Sequence, residues 1–133
     1  MSKVRIVVAD DHPGVRAMVR DILEPMFEVI GTADNGQCLV EVALRLQPEV
    51  IVTDITMPVL GGIEAADQLK KSGSCAKIVF LTVHSDPDFV RACLNAGASG
   101  YLLKPRMQAD LLLAIHEALA GRIFLSPMDK YEN

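Results

Sequence analysis

Five side chains of this 133-residue chain are of types that do chemistry together: the carboxylates of Asp10, Asp11 and Asp54, the hydroxyl of Thr82 and the ammonium of Lys104. Taken singly, each has an ordinary reading. A lone Asp after an apolar run is usually a helix N-cap, and a lone Lys before Pro is usually solvated. Their positions argue for more, because each closes a short apolar run. Val4 to Ala9 precedes Asp10-Asp11, Val50 to Thr53 precedes Asp54, Ile78 to Leu81 precedes Thr82, and Gly100 to Leu103 precedes Lys104. Carboxylates within ~4 Å repel by about 4 kcal/mol per pair at an effective dielectric near 20, so a cluster of them needs a cation. Their hard oxygens suit Mg²⁺ (or Mn²⁺), which takes one or two carboxylates together with phosphate oxygens. Asp54 beside such an ion, an ammonium and a hydroxyl is set up to attack a phosphoryl group and form an acyl phosphate. No GxGxxG or GxxxxGK[ST] cradle is present. Phosphate would therefore be held through the metal, Lys104 and Thr82.

The four runs, with Phe27 to Ala33, read as five strands. Between them lie helical periodicities. Val15, Met18, Val19, Ile22 and Leu23 follow Pro13, which suits a first helical turn. Leu39, Val42, Ala43 and Leu46 mark a second helix; Ile63, Ala66 and Leu69 a third. Phe89, Val90, Cys93 and Leu94 follow the helix-starting Asp86-Pro87, and a last helix spans about 108–120. Such alternation predicts an α/β fold of three layers, a doubly wound parallel sheet of five strands with helices on both faces. Ligands of such sheets bind beyond the carboxyl ends of the strands, where all five side chains fall.

Composition removes several function classes. A net charge of −4 does not make a surface that binds nucleic acid unaided, and the absence of Trp disfavours a base-stacking platform. Cys38, Cys75 and Cys93 are odd in number and form no CxxC, so zinc and a disulfide framework fall away; they read as small core residues. No apolar run approaches the ~18 residues of a membrane span, nor does the start read as a signal peptide, which predicts a cytoplasmic protein with no membrane partner. Residues 122–133 read as a tail or linker stub after a domain at 1–121.

With these motifs in order, the chain resembles the receiver domain of two-component response regulators. The matching segments are Val-Val-Ala-Asp-Asp at 7–11, Val-Thr-Asp-Ile-Thr-Met-Pro at 52–58, Leu-Thr at 81–82 and Gly-Tyr-Leu-Leu-Lys-Pro at 100–105. Each is weak alone; the ordered set is specific. The resemblance implies a flavodoxin-like sheet in the order 2-1-3-4-5 and a phosphoacceptor switch rather than an enzyme. It implies Asp54 as phosphoacceptor, with Asp10, Asp11, Asp54 and the carbonyl of Thr56 as the metal site. Asp11 would be the more direct ligand, with Asp10 acting through water. Thr82 and Tyr101 would be switch residues, Lys104 would contact the phosphoryl oxygens, and Pro105 is a candidate for a cis peptide bond. Thr56 and His84 would flank the path of the hydrolytic water. Thr56 carries neither amide nor carboxylate, which predicts a moderate or long phosphoryl lifetime, and Val83 is larger than the Ala or Gly of many receivers.

The segments at 96–104 and 120–127 resemble those of NarL/FixJ-type regulators. This implies a sensor histidine kinase as phosphodonor, transcription regulation as output, and DNA contact only through a C-terminal helix-turn-helix domain that this chain lacks. Apolar residues on more than one face of the last two helices suggest a homodimer or output-domain surface formed by helix 4, strand 5 and helix 5. His12, next to the acidic pair, reads as a solvated residue at a helix start rather than as a pH sensor or metal ligand. Two other functions compete: a phosphohydrolase with an aspartyl nucleophile, and a receiver-like scaffold that works without phosphorylation.

Overall fold

The computed structural model describes residues 3–127. Its strands are β1 (Arg5–Ala9), β2 (Glu28–Ala33), β3 (Val50–Thr53), β4 (Lys77–Thr82), β5 (Gly100–Leu103) and β6 (Phe124–Leu125). Its helices are α1 (Pro13–Leu23), α2 (Gly36–Leu46), α3 (Gly62–Lys71), α4 (Pro87–Asn95) and α5 (Met107–Leu119). All strand pairs are parallel and the order is β2-β1-β3-β4-β5-β6.

The expected five strands are therefore six. Phe124–Leu125, assigned by sequence to the tail, pairs with Gly100 and Tyr101. A pair of residues has too little periodicity to register as a strand; β5 supplies the template. The rest of the expected tail, residues 128–133, lies outside the described residues.

Strand side chains alternate between faces, and here both faces are covered. Val7, Ile51, Phe80 and Tyr101 pack on one side with Leu39 of α2, Leu69 of α3 and Cys93 of α4. Ile6, Val8, Val52, Leu81 and Leu102 pack on the other with Leu23 of α1 and Leu111 and Ile115 of α5. Burying one such side chain contributes about 1.5–3 kcal/mol. That is why the strand ends can carry costly polar groups. Of the three cysteines only Cys93 is fully buried; Cys75 is exposed, contrary to the core reading, because it follows the turn at Gly73 rather than lying within an element.

Local chemistry starts the helices. Pro13 and Pro87 open α1 and α4. Asn35 caps α2 by accepting from the Cys38 N–H at 2.8 Å, and Asp86 caps α4 by accepting from the Asp88 N–H at 2.8 Å.

Candidate functional site

Crossovers of a parallel sheet bring every strand's carboxyl end to one edge, and so they gather β1, β3, β4 and β5 here. The sheet delivers Asp10 and Asp11 just after β1, Asp54 just after β3, Thr82 at the end of β4 and Lys104 just after β5.

The loop after Asp54 is fixed by close packing. The Gly62 N–H donates to the Ile55 carbonyl at 2.7 Å, and the Gly36 N–H donates to the Leu60 carbonyl at 2.8 Å. A Cβ at Gly62 would lie 1.9 Å from the Asp54 carbonyl oxygen, and one at Gly36 would lie 2.1 Å from that of Leu60. Only glycine permits either approach. Val59 has φ +69°, and its neighbour Leu60 donates to the Pro58 carbonyl at 2.7 Å, a γ-turn with a β-branched residue at its centre.

Lys104 is the electrostatic hub. Its Nζ lies 2.9 Å from Asp10 Oδ2 and 3.1 Å from Asp54 Oδ2. Asp10 is only 2% exposed and the Lys104 side chain 13%. Burial alone would lower the lysine's pKa, but its close contacts with the Asp10 and Asp54 carboxylates, and their negative charges, outweigh it and leave the pKa raised. Asp54 Oδ1 accepts from the Ile55 N–H at 2.7 Å and lies 3.4 Å from the Thr56 nitrogen. Asp10 Oδ1 accepts from the His12 N–H at 2.9 Å.

Asp10, Asp11, His12 and Asp54 each place a ligand atom within 4.8 Å of the others. Three carboxylates against one ammonium leave a formal deficit of two charges, 3 − 1. Asp10 Oδ2 and Asp11 Oδ1 are shielded from solvent and accept no hydrogen bond of good geometry. Their near neighbours are ion-pair contacts only: Lys104 Nζ on the first, and His12 Nδ1 at 3.1 Å on the second. A hard oxygen donor set with buried, unsatisfied lone pairs and a two-charge deficit fits a divalent cation such as Mg²⁺. His12 is exposed, as expected, yet its ring turns back to within 3.2 Å of both acidic residues, closer to them than a solvated side chain need be.

Thr82 is fully buried, and its hydroxyl accepts from the His84 N–H at 3.1 Å. Tyr101 is also buried and donates its hydroxyl to the His84 carbonyl at 2.6 Å. The His84 ring stacks on Phe89 with centroids 4.4 Å apart, and its Nε2 lies 3.4 Å from the Thr56 hydroxyl at the pocket mouth. Val83 points to solvent, at 68% exposure. The cis expectation at Pro105 is not met: no described peptide bond is cis. Pro105 sits inside a single 3₁₀ turn, Lys104–Arg106, which accommodates the fixed φ of proline. Sequence reasoning also missed Asp110, a buried carboxylate in the first turn of α5. The one signal for it was Arg106, four residues earlier.

The parallel three-layer domain thus carries an acidic, lysine-bridged pocket at the carboxyl edge of its sheet. A family model described as the response regulator receiver domain matches residues 6–116. The chain is 38% identical over 123 residues to the nitrate/nitrite response regulator protein NarL of Escherichia coli K12, covering 91% of this chain and 57% of that protein. It is 39% identical over 129 residues to the transcriptional regulatory protein DegU of Brevibacillus brevis, covering 95% and 54%. A solved two-component response regulator of the LuxR family from Aurantimonas sp. SI85-9A1 superposes with a TM-score of 0.89 at 36% identity, covering 95% of this chain and 91% of that one. The chain belongs to the response regulator receiver family, as a receiver domain of the NarL/LuxR type. It spans little more than half the length of the curated relatives it matches. No helix among the described residues is long and apolar enough to cross a membrane.

Proposed function

We propose that Asp54 accepts a phosphoryl group from a sensor histidine kinase in a Mg²⁺-dependent reaction. The observation that carries this is the buried Asp54 carboxylate, held by Lys104 on Oδ2 and set in an acidic cluster short of two positive charges. An Asp54 oxygen attacks phosphorus, a P–O bond forms, the P–N bond to the kinase imidazole breaks, and that nitrogen takes up a proton from solvent. Asp10, Asp11, Asp54 and the Thr56 carbonyl would hold the ion. When bound, it supplies charge neutralisation at the phosphoryl oxygens. Lys104 then moves its ammonium from Asp54 Oδ2 to a phosphoryl oxygen, and the Thr82 hydroxyl, which accepts from the His84 N–H, turns to donate its hydrogen to another. Tyr101, bonded to the His84 carbonyl, is coupled to that exchange through the same short segment.

The Thr56 and His84 side chains meet across the mouth of the pocket, and Thr56 carries neither a carboxamide nor a carboxylate with which to position the attacking water. The acyl phosphate is therefore moderately or long lived. The output is a change in homodimer or output-domain docking on the face of α4, β5 and α5, where Leu94 and Leu113 are exposed. DNA is reached only through a separate C-terminal domain, and the domain works in the cytoplasm.

The test is intact mass after incubation with a small acyl phosphate and Mg²⁺. Wild type gains one phosphoryl group and Asp54→Asn gains none. Equal gain in both proteins, or none in either, would refute the reading.

A further inference from the structure

Strand β6 makes few ladder bonds. Its Phe124 N–H donates to the Ser99 carbonyl at 3.2 Å, and the Ser126 N–H donates to the Tyr101 carbonyl at 2.9 Å. The next β5 donor is the Leu103 N–H, and β6 has already ended at Leu125. Ser126 supplies the missing acceptor with its side chain: its hydroxyl accepts from the Leu103 N–H at 3.2 Å. The same hydroxyl donates to Asp110 Oδ2 at 3.0 Å. Asp110 Oδ2 also accepts from Arg106 Nε at 2.8 Å. Ser126 is 1% exposed and Asp110 4%, so these bonds are made away from water. A buried carboxylate is costly without such partners, and this one is supplied with two.

Lys104 and Pro105 lie between these anchors. Leu103 before them is held by Ser126, and Arg106 after them is held by Asp110. Lys104 reaches Asp10 and Asp54 at once, with 2.9 and 3.1 Å contacts, from a segment whose Leu103 N–H is held by the Ser126 hydroxyl and whose Arg106 side chain is held by the Asp110 carboxylate.

We infer that Ser126, Asp110 and Arg106 form a clasp that positions Lys104 for phosphoryl transfer and ties the segment leaving the domain to the phosphoryl site. This rests on Asp54 being the phosphoacceptor. None of the three touches the reacting atoms; they are positioning residues. Because coupling is reciprocal, a load on the chain beyond Ser126 changes Lys104's hold on the pocket, and phosphorylation changes the grip on that chain.

The experiment uses the full chain as wild type, Ser126→Ala, Ser126→Thr, Lys104→Ala and the double variant Ser126→Ala/Lys104→Ala. The phosphorylation rate with acetyl phosphate is followed by intact mass, and Mg²⁺ affinity by calorimetry. Ser126→Ala is expected to slow phosphorylation roughly tenfold without weakening Mg²⁺ binding, since small misplacements of a positioned group cost at least that much. Ser126→Thr, which keeps the hydroxyl, restores the rate. In the Lys104→Ala background, loss of Ser126 has no further effect, because no lysine remains to misplace. An unchanged rate in Ser126→Ala, or an equal loss in both backgrounds, overturns the clasp. If Ser126→Ala does not fold, Arg106→Met carries the same comparison, since it leaves β6 intact and frees only the far flank. Wild type that takes up no phosphoryl group removes the underlying reading and the clasp with it; wild-type uptake with an indifferent Ser126→Ala removes the clasp alone.

Discussion

Replacing Lys104 by Met isolates the electrostatics of the pocket, because the apolar stem is kept and only the ammonium is lost. Asp10 and Asp54 then face each other with ligand atoms within 4.8 Å and no cation between them. At that separation two unit charges repel by about 3.5 kcal/mol at an effective dielectric near 20. Breaking a buried ion pair by removing one partner costs a similar ~3–5 kcal/mol. For a domain of this size the melting temperature should fall by roughly 10–20 °C. The assay is thermal unfolding by circular dichroism at neutral pH in chelator, repeated with millimolar Mg²⁺. Mg²⁺ should stabilise Lys104→Met more than wild type, and adding Asp54→Asn to Lys104→Met should recover much of the loss in chelator. Alkali supplies a control with a fixed sign. The Lys104 pKa is raised above its ordinary 10.5, so its contribution is complete below 10.5 and is lost as pH climbs through the raised value. The gap between wild type and variant must close there. If the two melt together in chelator, or if removing the Asp54 charge brings no recovery, repulsion between these carboxylates is not what Lys104 holds in check.

Two further perturbations test the surroundings. Gly62→Ala drives a Cβ to 1.9 Å from the Asp54 carbonyl oxygen, so the phosphoacceptor loop must move; an unfolding loss of about 1–3 kcal/mol or more is expected in urea titration, with slower phosphoryl uptake. Burial pushes the Cys93 thiol up to about 12, whereas Cys75 is exposed. A thiol reagent at mildly alkaline pH should label Cys75 rapidly and Cys93 only on unfolding, as peptide mapping would show.

Most of the architecture could be read from the residues because buried parallel strands are written as uninterrupted apolar runs. Val50 to Thr53 and Gly100 to Leu103 begin and end where the sequence places them. The site was legible for the same reason: polar groups that terminate such runs converge on one edge. What escaped had no local signature. Phe124–Leu125 is a strand only because β5 has an open side. Asp110 reads as an ordinary charge in the first turn of a helix, and its burial is decided by Ser126, 16 residues away. The trans bond at Pro105 is announced by no spacing in the sequence. His12 reaches the acidic pair through ring orientation, which sequence does not encode in any pattern.

The two edges of the sheet differ in how they refuse a further strand. At one edge, β2 is six residues long, but its partner register slips between Ile6 and Val7, and Glu28 and Thr32 are exposed along it. At the other, the apolar β5 would offer four consecutive residues, Gly-Tyr-Leu-Leu, as a template for a foreign chain. Phe124–Leu125 occupies that template, and Pro127 beyond it has no N–H with which to continue the ladder. Short edges, charges and prolines are how sheets avoid edge-to-edge growth. The exit segment is therefore also a guard: a chain cut before Phe124 should be more prone to self-association than the whole, in a protein whose residues are half hydrophobic.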